Sequence, residues 1–373
     1  MAIAEPNFIE RDPAQITSEM IAQYEDASGK KLYPAQAERL LIDLFAYREN
    51  LVRIAIQEAA KQNLVAYSRA PMLDYLGELV GVHRLPAQSA KTTLQFSVVS
   101  AYTSNILIPQ GTRASASDSV MFATDEDVLL PARSLHIAVP ATSLAAGEQG
   151  NGWQPAQISA LVDRIGHYDI NEINLTASTG GCGEESDDAL RQRIQLAPES
   201  FSNAGSYGAY RFHTLSVSQS IIDVAVLGPD EGLPEGCVEI YPLTLNGLPG
   251  IELLAQIEQE VSKEKKRPLT DKVSAKCALR VPYEIRAQLT LFTTADQETT
   301  LAAARKAISL WTQQRQKHLG QDIVPNQIIK VLQVDGVYDV VLNLPTKRIL
   351  QAHEWAECTA IAVSYTHLRA HET

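Results

Sequence analysis

Residues 220–281 read SIIDVAVLGPDEGLPEGCVEIYPLTLNGLPGIELLAQIEQEVSKEKKRPLTDKVSAKCALRV. Residues 220–227 and 236–243 are rich in β-branched and apolar side chains, and GPDEGLPE between them has turn composition, so the pair is predicted to be two strands and their connection. Residues 251–266 repeat apolar positions at helical intervals, and 273–281 return to strand character. A helix over 205–217 comes first, which makes the order α-β-β-α-β. Downstream the pattern gives a strand at 283–292, a helix at 298–318, a short helix opened by Pro325, and strands at 337–344 and 357–363. That second run is β-α-α-β-β. Two small α+β units, 181–281 and 282–363, are therefore expected, each with helices over one face of a sheet.

Working outward toward the N-terminus, residues 89–180 form a β-rich insert. TTLQFSVV alternates Leu94, Phe96 and Val98 against Thr93, Gln95 and Ser97, the period of a strand with one buried face. Short runs follow at 105–108, 119–124 and 135–139, then a glycine loop at Gly147, Gly150 and Gly152, and a last strand in INEINLTA.

The segment before it, 1–88, is helical. From Pro34 a long helix places Leu41, Leu44, Phe45, Leu51, Val52, Ala55 and Ala59 on one face. A second row, Leu40, Tyr47 and Ile54, recurs every seven residues on another flank. Either the same chain covers both rows or another subunit covers one; these three residues are the candidate interface. A shorter helix carries Leu73, Leu76 and Leu79 or Val80, with Gly81 where a left-handed cap would close it. The whole is α+β and multi-domain, as 373 residues lead one to expect.

The composition, 45% hydrophobic and 20% charged, is globular, and the formal charge of −12 disfavours nucleic acid as a partner. No run of about 18 apolar residues suggests a membrane span. No secretory signal is read at the start, so synthesis in the cytoplasm is expected. Cys182, Cys237, Cys277 and Cys358 form no CxxC pair. No phosphate loop, dinucleotide fingerprint, HExxH or GxSxG is present, and SGKK at 28–31 lacks the glycine that shapes a phosphate cradle. His353 and Glu354 lack the H-x-E spacing of a zinc deaminase. His83, His136, His167 and His213 have nothing recognisable beside them. The basic stretch Lys263, Lys265, Lys266 and Arg267 fits the C-terminal dipole of a helix better than a phosphate site. No enzyme activity, cofactor or metal is expected.

TGGCGEESDDALRQRIQL is the most distinctive segment. Ser186 is placed to cap a helix, and Asp187 and Asp188 sit at its positive end. Four acids within 184–188 lack the spacing of a calcium loop. The last ten residues, SYTHLRAHET, are polar and resemble translated adapter read-through, so 364–373 is taken as a non-native tail that does not continue the strand before it.

These segments resemble, in order, the baseplate J-like family of contractile-tailed phages: AYRENLVRIAIQEAAKQNLVAYSRAPMLDYLGELVGVHRLPA, IPQGTRA with MFAT, GGCGEESDDALRQRI, KRPLTDKV and WAECT. The family-motif positions are Leu73, Asp74, Leu76 and Gly77, then Gly180, Gly181, Glu184, Glu185, Ser186, Asp187, Leu190, Arg191 and Arg193. Cys182 departs from the pattern. The resemblance implies a structural protein of the baseplate wedge, assembled in the host bacterial cytoplasm and residing in the virion baseplate. It further implies self-association, wedges joined in a ring around the tail hub, and contacts with other wedge proteins and the tail-fibre attachment protein. The rival from another class is a carbohydrate-binding or adhesin module with the β-rich insert as its face, which needs exposed aromatics; Trp153 is the tryptophan near that insert, and aromatics are 6% of the chain.

Overall fold

The computed structural model describes residues 4–201, 206–263, 268 and 270–367. The fold is α+β with several domains, and the chain divides into two compact units. The first runs to Arg84 and includes Ser186–Ala197; the second comprises Leu85–Glu185 and the chain from Pro198 onward.

The first unit is helical: α1 (Pro13–Ser28), α2 (Ala37–Lys61), α3 (Met72–Glu78) and α4 (Asp187–Leu196). Asp12 caps α1 by accepting from the N–H of Ala14, Pro13 supplies a preset φ at the first position, and Gly29 ends it in the left-handed region. Gly81 is left-handed as expected, and the N–H of Val82 returns to the carbonyl of Gly77 to close α3. The sequence reading grouped 181–196 with the first α+β unit. In the structure α4 packs on α3 instead, because Leu190 and Ile194 bury themselves on that side.

The β-rich part holds β1 (Ser89–Val98), β2 (Ile106–Ile108), β3 (Arg113–Ser117), β4 (Val120–Thr124), β5 (Val128–Leu130), β6 (His136–Ala146), β7 (Ala160–Leu161) and β8 (Ile170–Asn174). Six of them form one sheet in the order β7-β3-β4-β6-β1-β8, while β2 pairs with β5. The end strands β7 and β8 also touch, so the sheet curls until its two ends meet. Its interior is filled by Leu94, Phe96, Ile108, Phe122, Val139 and Ile158 among others, each buried Leu, Ile or Phe being worth about 1.5–3 kcal/mol. Gly181 is required where the chain passes the loop after β6, since a Cβ there would stand 2.4 Å from the carbonyl oxygen of Gly147.

Two three-stranded sheets follow. The first, from β9 (Ile221–Leu227), β10 (Cys237–Thr244) and β11 (Lys272–Ala275), has the order β11-β10-β9 and carries α5 (Tyr207–Leu215) and α6 (Ile251–Val261). The second, from β12 (Leu279–Leu291), β13 (Val337–Leu344) and β14 (Glu354–His367), has the order β13-β12-β14 and carries α7 (Gln297–Arg315) and α8 (Pro325–Leu332). In both, the central strand has one antiparallel and one parallel neighbour. The core of the second alternates along β12 as Ile285, Ala287, Leu289 and Leu291, facing Ala304, Ile308, Ile328 and Leu332 of the helices.

Three expectations are corrected. The break anticipated between 281 and 283 is absent, since β12 continues through Pro282. The α6 helix ends at Val261, well before residue 266; Lys265, Lys266 and Arg267 lie outside the described residues. The final strand does not stop at Val363: Ser364, Tyr365 and Thr366 stay paired with β12, because that strand offers its edge as far as Leu291. Finally, the two α+β parts share a core in which Trp355 of β14 packs with Tyr241 and Leu243 of β10 and with Leu319.

Candidate interaction surface

The long helix α2 buries Ile42, Ala46 and Gln57, a strip at spacings of four and eleven along one side. Arg39, Glu49, Asn50 and Arg53 lie on the same side and are half-buried. This strip receives α1, whose Ile16 is buried. It also receives the N-terminal segment, which the side-chain amide of Gln57 clamps from both ends. Its Nε2 donates to the carbonyl of Pro6 at 2.7 Å, and its Oε1 accepts from the N–H of Phe8 at 2.9 Å. Arg53 donates to the carbonyl of Glu10, and Lys61 pairs with Glu5 at 3.1 Å. Gln57 is fully buried, so every polar atom of its amide has to be matched, and both are.

Both apolar rows read from the sequence stay uncovered. Leu40 is 63% exposed, Tyr47 60% and Ile54 41%, and Leu41, Leu44, Phe45, Leu51 and Val52 are exposed as well. At 100° per residue the row of Leu40, Tyr47 and Ile54 lies roughly 120° round the helix from the buried strip. The chain itself does not cover these rows: its own α1 and N-terminal segment take the mixed polar side and leave both apolar rows exposed. Apolar surface on that scale is unusual on a protein that works alone.

The family-motif residues lie elsewhere and act as joinery. Leu73 and Leu190 are fully buried, and Gly77 lets α3 close on α4: a Cβ there would sit 2.6 Å from the carbonyl oxygen of Val82 and 3.3 Å from Ile194 Cδ1. Leu76 is half-buried on the same helix. Arg84 forks between Asp74 and Asp187, at 2.7 Å to each. Its own pKa is raised, chiefly by the hydrogen bond to Asp74. At Asp187 partial burial opposes ionisation. Arg84, the N–H of Ala70 and the charge of Arg191 outweigh that and hold its pKa below the usual carboxylate value. Ser186 caps α4 by accepting from the N–H of Ala189. Arg191 donates to the carbonyls of Val65 and Ser68 at 2.9 and 2.8 Å, and the buried Arg193 donates to the carbonyl of His83.

In the β-rich unit, Glu185 is buried and accepts from the N–H of Leu85 at 2.9 Å, while Glu184 is exposed and apart from it. Gly180 takes the left-handed conformation that its turn needs. The motif thus assembles into two sets of structural contacts, and among the described residues no group of three or more His, Cys, Asp or Glu side chains is placed to hold a metal. Trp153 is half-buried against the core of the curled sheet, donating from Nε1 to the carbonyl of Gln149, so its ring is no open platform. Sequence reasoning passed over Gln57, because a glutamine at helical spacing from an isoleucine and an alanine carries no periodic signal.

Family profiles match the chain in four places: the baseplate J-like N-terminal domain at residues 39–91, the barrel domain at 93–181, the central domain at 202–277 and the C-terminal domain at 283–364. Baseplate protein J of Escherichia phage P2 is 36% identical over 182 residues, which is 48% of this chain and 59% of that protein. A chain in the cryo-EM structure of the anti-feeding prophage baseplate, 6-fold symmetrised, is 15% identical with a TM-score of 0.46, over 94% of this chain and 90% of that one. The four profiles follow one another in chain order from residue 39 to residue 364 and leave only short gaps, so the chain belongs to the baseplate J-like family.

Proposed function

We propose that this protein is a structural component of the baseplate of a contractile phage tail or a related injection particle, and that it acts by being held between neighbours. The observation that carries the reading is the long helix α2, with its large apolar residues exposed on two flanks while the chain's own segments occupy the third. A subunit of a closed assembly needs at least two adhesive surfaces. In finer terms, the helix packs against partner chains and the α+β part meets a neighbouring copy. Such contacts join wedges into a ring around the hub and bind the other wedge proteins and the tail-fibre attachment protein. Family membership and the likeness to the P2 protein support the baseplate setting. If the particle contracts, these interfaces must have two arrangements of similar free energy. No catalytic role is assigned, since the motif residues are spent on structural contacts. Among the described residues no helix is long and apolar enough to cross a membrane.

The test is a pair of substitutions on the exposed row. Tyr47→Glu and Ile54→Glu should leave folding stability within about 0.5 kcal/mol of the parent, as surface changes do. They should also abolish co-purification with a second copy or with co-expressed wedge proteins of the same particle. Unchanged association of both kinds would remove α2 from the interface.

A further inference from the structure

Glu172 lies on the interior face of β8, between Ile170 and Asn174, and stands opposite Phe96 of β1 in the strand register. It is 3% exposed, and its Oε1 has no hydrogen-bond partner among the described residues. The side chains that β1 turns to the same interior are Leu94, Phe96 and Val98, and β7 adds Leu161; none of these titrates. Of the nearest ionisable groups in sequence only Tyr168, with its ring partner Tyr102, packs on this core, and neither phenol carries a positive charge. His167 and Asp169 are exposed on the loop before β8, and Tyr168 meets the ring of Tyr102 edge-on at 4.9 Å. Asp163, after β7, is paired with Arg113 at 2.7 Å. A carboxylate in this place has neither a counter-charge nor a full set of donors, which is costly.

We propose that Glu172 is a proton-operated latch on the closure of the curled sheet: the neutral acid lets β8 stay seated between β1 and β7, and loss of the proton loosens that seam. The position of β8 gives the device its leverage, since it is one of the two end strands whose meeting closes the sheet. Burial pushes the carboxyl up to about 7, against the weaker pull of the backbone N–H groups of Glu172 and Leu161. The group is therefore neutral in the closed seam and ionised in an opened one over the interval between its ordinary value and about 7. Stability from the closed form is complete below the ordinary carboxylate value, declines as pH rises, and has been lost above about 7.

Amide hydrogen exchange on the full chain, corrected for intrinsic rates, tests this. Opening at residues 170–174 and 94–98 should increase roughly 50-fold from pH 5 to pH 8 in the parent, and by less than about 3-fold in Glu172→Gln. The sheets of the two α+β parts should show no such difference between the proteins. Should Glu172→Gln not fold, Glu172→Met supplies an uncharged side chain of similar length. The infrared band of a protonated acid at pH 6, present in the parent and absent from the variant, reads the same group directly. Equal pH dependence in parent and variant, or no protonated acid at pH 6, overturns the proposal.

Discussion

At Gly77 the absence of a side chain is a packing requirement. Its backbone approaches the carbonyl of Val82 so closely that a methyl group would overlap it, and Ile194 of α4 closes the other side. Gly77→Ala should cost about 1–3 kcal/mol, seen as a lower urea midpoint for the helical unit, because the obstacle includes backbone that cannot rotate away. The Arg84 fork acts through charge. Since the pKa of Asp187 is depressed in the folded protein, the stability it contributes is present above the ordinary carboxylate value and is lost as pH falls through the lowered one. Arg84→Met should therefore flatten the acid limb of a stability-against-pH curve. The motif residues were legible as a set in the sequence, and Ser186 was legible as a cap. That Arg84 joins Asp74, 10 residues before it, to Asp187, 103 residues after it, was not, because nothing local marks an arginine whose partners come from two different helices.

Among the elements, α2 was recognisable by its periodicity, and both apolar rows were read correctly as rows. Their fate was not readable, since periodicity says which residues share a face but not which face a neighbour covers. The deciding contact is the Gln57 clamp on residues 6–8. Gln57→Ala would leave the N–H of Phe8 and the carbonyl of Pro6 without those partners, at a cost of about 1–3 kcal/mol. Exchange at the amides of residues 7–10 should accelerate while α2 itself keeps its helical signal. In the β-rich part, the strands at residues 94–98 and 170–174 alternate clearly and were expected. The strand Arg113–Ser117, with sequence RASAS, was missed, because its small residues take strand form only through pairing with β4 and β7.

Over the whole molecule, the order α-β-β-α-β followed by β-α-α-β-β was anticipated, whereas the joining of these two parts was not. Trp355 sits at the start of β14, donates from Nε1 to the carbonyl of Gln316 at 2.9 Å, and packs on Tyr241 and Leu243 of the other sheet. Trp355→Ala should cost about 3–5 kcal/mol and split a single calorimetric transition of the α+β region into two. An unchanged single transition would show that the shared core does not couple them. The amino-acid order alone determined that the chain is α+β, that its N-terminal segment is helical, and that no familiar catalytic pattern is spelled out. These follow from side-chain spacing within windows of one element. Only the tertiary structure decided that α4 belongs with the helices before the β-rich part, that β7 meets β8, and that α2 turns its apolar rows outward. Each depends on which distant surface arrives to be buried, and that is settled by competition among all surfaces of the folded chain.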